Sequence, residues 1–457
     1  MQDNNIDVFI SDAEIEYFEL SKPISDQTWD EFVRERKAIS LEFSRKFNLS
    51  LVLSEPTIVS FIDSIAKELS HHTGKEIRQP TKQQLNCLFA NLYRQNCIHP
   101  AMWTRVSRRN QKPIPTRFNP SGINWKTIAR LTDALEEIGY VVAVKGTFAR
   151  NRGSGLTKSS RIRATPQLIN LIEKQFDMTP NTIEFHPLAE PIVMKGKLDT
   201  NKKKPIIPYI DTPRSKADRK LLTAYNGFIQ KQEIMLPQSM NEWKPDLIFT
   251  TRIFSNGSWD EGGRLFGGEF QNQPKSERSK ILINNQPVLE IDISNCHATM
   301  AFADAGVDWF ANHSQDLYQI QQMGYWPREV VKKAFSIVLN VDNETSAIKA
   351  LVREATREYW SFAYEQVDRP KWYHNLIADM RLAYPEIAPH FFKARGMYFM
   401  CREGEIALLV IKECLQRKIP VLTLHDSYIM PSQYSVPVTD IVKSAFERVV
   451  GVNCIVR

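Results

Sequence analysis

An α+β fold is predicted for this 457-residue chain by three observations. Several stretches before about residue 180 show helical apolar spacing. A helix–strand–loop–strand order sits among them. From about residue 246, short apolar strands give way to long amphipathic helices, a strand hairpin and a last helix, and such segregation of strands from helices defines the class. The expected organisation is a mostly helical region over 1–178, a connecting region over 179–245 rich in Pro, Lys and Asn, and a second domain over 246–457.

Composition narrows the possibilities. A hydrophobic share of 42% and a charged share of 24% are those of an ordinary globular protein. No apolar run approaches the roughly 20 residues that span a bilayer. The opening MQDNNIDVFISDAEIEYFEL is acidic and lacks the basic-then-apolar layout of a signal peptide. Six cysteines are scattered without CxxC pairs, which suits reduced thiols better than disulfides or zinc. The expected location is therefore the cytoplasm, with no membrane partner. Net charge is +7, and the basic residues cluster in 104–117, in 145–163 and from Lys195 through the lysine run 202–204. The last run reads as a solvated linker. Three such runs in one half of the chain favour a polyanionic partner.

In chain order, residues 29–47 and 57–70 are predicted helices, and 81–96 is a third with Thr81 at its N-cap. GINWKTIARLTDALEEIGYV reads as a turn and an amphipathic helix with Ile128, Leu131, Leu135 and Ile138 on one face, ended by Gly139. YVVAVKG is a strand, ARNRGSGLTKSS a basic loop, and RIRAT a second strand. That order is the layout of a winged helix, whose loop lies along a phosphate backbone. Arg150, Arg152, Lys158 and Arg161 would be its contacts to DNA or RNA, primer–template or single-stranded DNA among them, although many winged helices only mediate protein contacts.

Four later segments bear on chemistry. In GGRLFGGEFQNQP (262–274), glycines flank Arg264, and the amides of Gln271 and Asn272 precede a proline. Such a loop suits a nucleic-acid strand, with Arg264 on a phosphate, although taken alone it reads better as a β-hairpin whose glycines serve only turns. In PVLEIDISNCHATMAF (287–302), a strand ends at Asp292 before a helix start, a rigid and partly open place for a metal. A lone aspartate there is more often a helix N-cap. In DLYQIQQMGYWPREVVKKAFSIVLN (316–340), Arg328, Lys332, Ser336 and Asn340 form one polar stripe opposite Val331, Phe335 and Leu339. Two cations on one stripe repel unless an anion lies between them, and a triphosphate would supply it, although such a charge pair is usually no more than a solvated face. The fourth segment, LTLHDSYIMP (422–431), is a hairpin with Asp426 at its tip, preceded by the amphipathic helix of CREGEIALLVIKECLQRKIP.

Taken in order, these segments resemble the polymerase core of family A DNA polymerases and the related phage single-subunit RNA polymerases. The Arg264 loop resembles the template-primer segment before motif A. VLEIDIS is similar to motif A, Asp316-Leu317-Tyr318 to the segment before the fingers helix, Arg328 and Lys332 to the start of motif B, and LTLHDSYIMP to motif C. The resemblance covers roughly 250–450 and implies a palm with short fingers. It implies that Asp292 and Asp426, with the carbonyl of Ile293, hold two Mg²⁺ ions (Mn²⁺ substituting), activating a primer hydroxyl and neutralising the leaving pyrophosphate. Arg328 and Lys332, with Ser336, Asn340 and His297 nearby, would bind the nucleoside triphosphate. Lys332 would also count among the catalytic groups, His425 would meet the primer terminus, and Arg264, Gln271 and Asn272 the nucleic-acid strands.

Departures from the family pattern bear on what is polymerised. Where the DNA polymerases carry a ribose-excluding glutamate, five residues after the motif A aspartate, this chain has His297. In motif B, Ser336 replaces the expected aromatic and Asn340 a tyrosine. No exonuclease constellation precedes residue 250. The expected activity is template-directed, primer-extending DNA synthesis without proofreading, in a phage, plasmid or mobile-element setting, with a single-strand-binding or replication protein as a further partner. An RNA polymerase or primase, a template-independent terminal transferase, and a non-catalytic winged-helix initiator with a degenerate core remain as alternatives.

Overall fold

The computed structural model describes residues 43–54, 56–108, 114–146, 159–200, 204–239, 242–245, 247–309, 316–320, 326–357 and 369–457. It is mixed α and β with small, mostly antiparallel sheets, compatible with the α+β class. The chain divides into two compact units, one ending at Ala189 and the other running Glu190–Arg457. Among the described residues no helix is long and apolar enough to cross a membrane. All six cysteines are free thiols.

In the first unit, β1 (Ser44–Lys46), β2 (Leu51–Leu53), α1 (Thr57–Thr73) and α2 (Gln79–Ile98) precede β3 (Trp103–Val106), α3 (Trp125–Glu137), β4 (Val141–Val144), β5 (Ser160–Ala164) and β6 (Ile183–Phe185). Asn124 caps α3, its side chain accepting from the amides of Lys126 and Thr127 at 3.0 and 3.3 Å, which satisfies two orphan donors of the first turn. Ile128, Leu131 and Leu135 form its buried face, and Gly139 at φ 83° lets the chain leave the helix. One sheet has the order β1-β3-β5-β4, in which β5 pairs antiparallel with both β3 and β4.

Two expectations for this unit need correction. The predicted helix over 29–47 lies largely outside the described residues, and where it is described Ser44–Lys46 is a strand parallel to β3, so pairing overrides local spacing. Helix α2 starts at Gln79 with Arg78 at its N-cap, not Thr81, because Pro80 is tolerated in the first turn, where its missing N–H costs nothing.

The second unit opens with β7 (Ile192–Met194), α4 (Pro213–Ile229), β8 (Ile234–Ser239), β9 (Glu242–Pro245), β10 (Thr251–Ser255), β11 (Ser258–Phe266), β12 (Leu282–Ile283) and β13 (Gln286–Asp292). Helices α5 (Cys296–Asp304), α6 (Arg328–Asn340), α7 (Glu344–Arg357), α8 (Arg369–Ala383) and α9 (Gly396–Gln416) come next. The hairpin β14 (Leu422–Leu424) and β15 (Ser427–Pro431) and helix α10 (Ser435–Val450) complete it. The region read as a connector thus contains α4. Thr212 and Ser215 cap that helix reciprocally; of its apolar side chains Leu222, Tyr225 and Ile229 are buried, with Leu221 and Phe228 partly buried against the same core. Polar composition concealed an apolar face.

Two sheets frame the second unit. One has the order β14-β15-β13-β12-β8-β9, the other β11-β10-β7. Helix α9 lies so close to β11 that a Cβ on Gly404 would sit 1.9 Å from the Gly263 carbonyl oxygen, so only glycine fits. Arg252, fully buried, fastens the same layers: it pairs with Asp218 of α4 at 2.6 Å and donates to the Gly263 carbonyl at 2.9 Å.

Candidate active site

Strand β13 runs between β15 on one side and, toward its start, β12 on the other. Its last residue, Asp292, faces Ser427 of β15 in register. Opposed residues of an antiparallel pair share one face, and accordingly the Ser427 hydroxyl donates to Asp292 Oδ1 at 2.8 Å. Asp426 occupies the two-residue turn between Leu424 and Ser427, and its carbonyl accepts the Ile293 amide at 3.0 Å. The two aspartates predicted to act together are therefore neighbours at one end of the sheet. Asp292 is not a helix cap, since α5 begins at Cys296 with Asn295 at the N-cap.

The electrostatics fit that proximity. Burial, and then the charges of Glu403 and Asp292, push the Asp426 carboxyl up to about 6. Crowded carboxylates of this kind are short of a cation. A divalent ion would find hard oxygen donors in Asp292 and Asp426, a set that suits Mg²⁺ or Mn²⁺. Ile293 sits in a bridge opposite Val456 and turns its amide toward Asp426, and the carbonyl of an extended residue points to the same side as its amide. Among the described residues no group of three or more His, Cys, Asp or Glu is arranged to hold a metal.

His425 begins the turn in the left-handed region, φ 57°, where a residue with a Cβ is strained. Its ring meets Phe266 edge-on at 5.7 Å, and its buried Nδ1 has no hydrogen-bond partner among the described residues. Burial, then the charge of Arg264, hold its pKa below the ordinary imidazole range.

Arg264 and His297, predicted for different tasks, meet at a residue that sequence reasoning missed. Glu403 of α9 accepts from Arg264 Nη2 at 2.6 Å and Nε at 3.1 Å, and lies 2.9 Å from His297 Nε2, all through Oε2. Burial pulls the Glu403 carboxyl up, but the His297 hydrogen bond and the Arg264 charge outweigh it and hold the group ionised. Its other oxygen, Oε1, is buried without a partner among the described residues. The available signal was an acid on the apolar face of α9, one turn after Phe399 and one before Ala407, where only a paired charge is tolerated.

On α6 the predicted stripe is present. Lys332, Ser336 and Asn340 are exposed, Arg328 is half-buried, and Val331, Phe335 and Leu339 are buried opposite. The anion that quiets Arg328 is a protein group: Asp316 pairs with it through two oxygens. Burial acts upward on the Asp316 carboxyl. The Arg328 hydrogen bond, the Tyr318 amide and the charges of Arg328 and Arg457 prevail and hold it below the ordinary range. Lys332 has no ion pair among the described residues.

The predicted nucleic-acid contacts fare unevenly. Gln271 is used internally: its amide donates to the carbonyls of Thr423 (2.9 Å) and Leu265 (3.2 Å) and accepts the Gly267 amide (2.9 Å). It staples the Arg264 loop to β14. Asn272 is exposed beside it. Arg161 must be corrected: it lies in the central strand β5 with 6% of its surface exposed, bonded to the Ser159 carbonyl, and offers no cation to a ligand. Arg150, Arg152 and Lys158 lie outside the described residues.

Neither a protein-family model nor a curated protein matches this chain. The functional reading therefore rests on the geometry above and on the motif order in the sequence.

Proposed function

We propose that the chain is a template-directed nucleotidyltransferase, most simply a DNA polymerase that extends a primer. One observation carries this reading. Asp292 and Asp426, from segments some 135 residues apart in sequence, converge at one sheet end beside Glu403, and Asp426 is pushed up to about 6 by that crowding. On this reading the β14–β15 hairpin with β13 is a family A-like palm and α6 the fingers helix. The order α3, β4, basic loop, β5, with β5 paired to both β3 and β4, supports a winged helix in the first unit.

Asp292, Asp426 and the Ile293 carbonyl would hold the divalent ions, which when bound supply Lewis-acid activation of the attacking hydroxyl and neutralise leaving charge. The chain's own residues do the rest. Ser427 fixes one oxygen of Asp292, so the carboxylate enters the reaction pre-oriented. Lys332, exposed and unpaired, meets the triphosphate as a point charge. Arg328 is set by Asp316 and reaches the same anion only with part of its charge already balanced. Glu403 holds His297, five residues beyond Asp292 at the start of α5, where the family pattern places the residue that selects the sugar.

The test is a 5′-labelled primer–template with Mg²⁺ and either deoxy- or ribonucleotides, using the full chain beside Asp292→Ala and Asp426→Asn. Extension with deoxynucleotides by the wild type, lost in both variants, is expected. No extension with any nucleotide set, or equal extension by Asp426→Asn, overturns the reading.

A further inference from the structure

The proposed mechanism leaves Arg457 without a task. The segment 454–457 runs antiparallel to the end of β13, where β12 no longer reaches. Asp292 N donates to Arg457 O at 2.8 Å, Arg457 N returns a bond to Asp292 O at 3.0 Å, and Ser294 N donates to Ile455 O at 2.8 Å. Ile293 and Val456 form the bridge between them. Two residues that exchange both backbone bonds lie directly opposite, about 5.5 Å apart at Cα, with side chains on one face. On the other flank of Asp292, the Ser427 hydroxyl marks that face by its bond to the carboxylate. Ser427, Asp292 and Arg457 thus form a row across three extended segments.

Arg457 is exposed, and its guanidinium makes no hydrogen bond or ion pair with a described residue. Its charge nevertheless reaches Asp316, the partner of Arg328. It therefore stands in the charge field shared by Asp292 and the Asp316–Arg328 pair. That pair is nearly neutral, so Arg328 alone cannot balance a polyphosphate. Lys332 and Arg457 make no ion pair among the described residues.

We propose that Arg457 is a substrate-binding residue that grips the β- and γ-phosphates of the incoming nucleoside triphosphate and releases them as pyrophosphate. The assignment rests on the nucleotidyltransferase reading. A planar guanidinium suits it, because its fork takes two phosphate oxygens at once where an ammonium takes one. The backbone pairing explains why the fork is well placed: the same two hydrogen bonds that position Asp292 position Arg457.

Arg457→Ala and Arg457→Lys separate the possibilities. With Arg457→Ala, the KM for a deoxynucleotide should rise on the order of tenfold, as for a lost charged hydrogen bond. Product inhibition by pyrophosphate should weaken by a similar factor, with kcat, primer–template affinity and melting temperature near those of the wild type. Arg457→Lys should recover part of the loss. Calorimetric titration of pyrophosphate into the metal-free protein gives an activity-independent readout, and weaker binding by Arg457→Ala is expected there too. An active wild type whose KM, pyrophosphate inhibition and pyrophosphate binding are all untouched by Arg457→Ala overturns the assignment. So does a fall in kcat alone, which would make Arg457 a mere support for Asp292. A wild type that extends no primer defeats the underlying reading instead, and the assignment with it.

Discussion

His297 Nε2 lies 2.9 Å from Glu403 Oε2, the same oxygen that takes both hydrogen bonds of Arg264. Because that carboxylate is ionised, Nε2 must carry the proton and donate. The ring is thereby fixed in orientation. Two residues that looked independent in the sequence are one charged unit around a buried acid.

Glu403→Ala strips that unit of its anion and leaves Arg264 partly buried beside an imidazole. A loss of roughly 3–5 kcal/mol in unfolding free energy is expected, as for other broken buried pairs. Urea denaturation of the single variants and of Arg264→Leu/Glu403→Leu measures the coupling. If the double variant is no more stable than the sum of the two single losses predicts, the two side chains do not act as a pair.

The Asp426 carboxyl supplies a pH dependence in the metal-free protein. Its folded value, about 6, lies above the unfolded value of about 3.9. Its contribution to stability is therefore fully present below pH 4 and is lost as pH rises through 6. With a chelator present, wild type should fall behind Asp426→Asn across that window, by an amount on the order of 2–3 kcal/mol at most. At pH 7.5, Mg²⁺ should raise the melting temperature of the wild type and leave the variant unmoved. A difference between the two proteins that is flat from pH 4 to 7 would contradict the crowding of acids at this site.

Two helical glycines should respond in opposite senses to alanine. Gly404→Ala drives a Cβ into the Gly263 carbonyl, a backbone atom with nowhere to retreat, and should cost about 1–3 kcal/mol or more. Gly227→Ala in α4 meets nothing within 4 Å and should stabilise by about 0.5–1 kcal/mol. Thermal melts of the two variants decide it, and a tolerated Gly404→Ala would show that α9 can lift off β11.

Gln271→Ala tests the reassignment of a predicted nucleic-acid contact. Losing the amide that joins the Arg264 loop to β14 should cost about 1–2 kcal/mol of stability. Affinity for a primer–template, read by fluorescence anisotropy below the melting range, should stay within twofold. A large loss of affinity with unchanged stability would restore the contact role.

The elements with strong local signals were readable in the sequence. Helix α3 has a capping asparagine, a clean apolar face and a terminating glycine, and β13 and the β14–β15 hairpin are short apolar runs ended by polar residues. Their spatial union was readable only through motif order, because strand pairing between distant segments leaves no local trace. Glu403 escaped notice because an acid inside an apolar helix face means little until its partners are known. Helix α4 was hidden by its lysines and arginines, which share the helix with an apolar face centred on Leu222, Tyr225 and Ile229. Arg161 misled in the opposite way: a basic run suggested a surface, and central-strand pairing buried it.

The turn that presents Asp426 has only two residues, the first already in a left-handed conformation. Such a turn has no slack. The distance between the two aspartates is counted out in backbone hydrogen bonds, so one residue added or removed between Leu424 and Ser427 would shift the register against β13 and turn alternate side chains to the wrong face. The length of this hairpin is thus as much a part of the site as the carboxylate it carries.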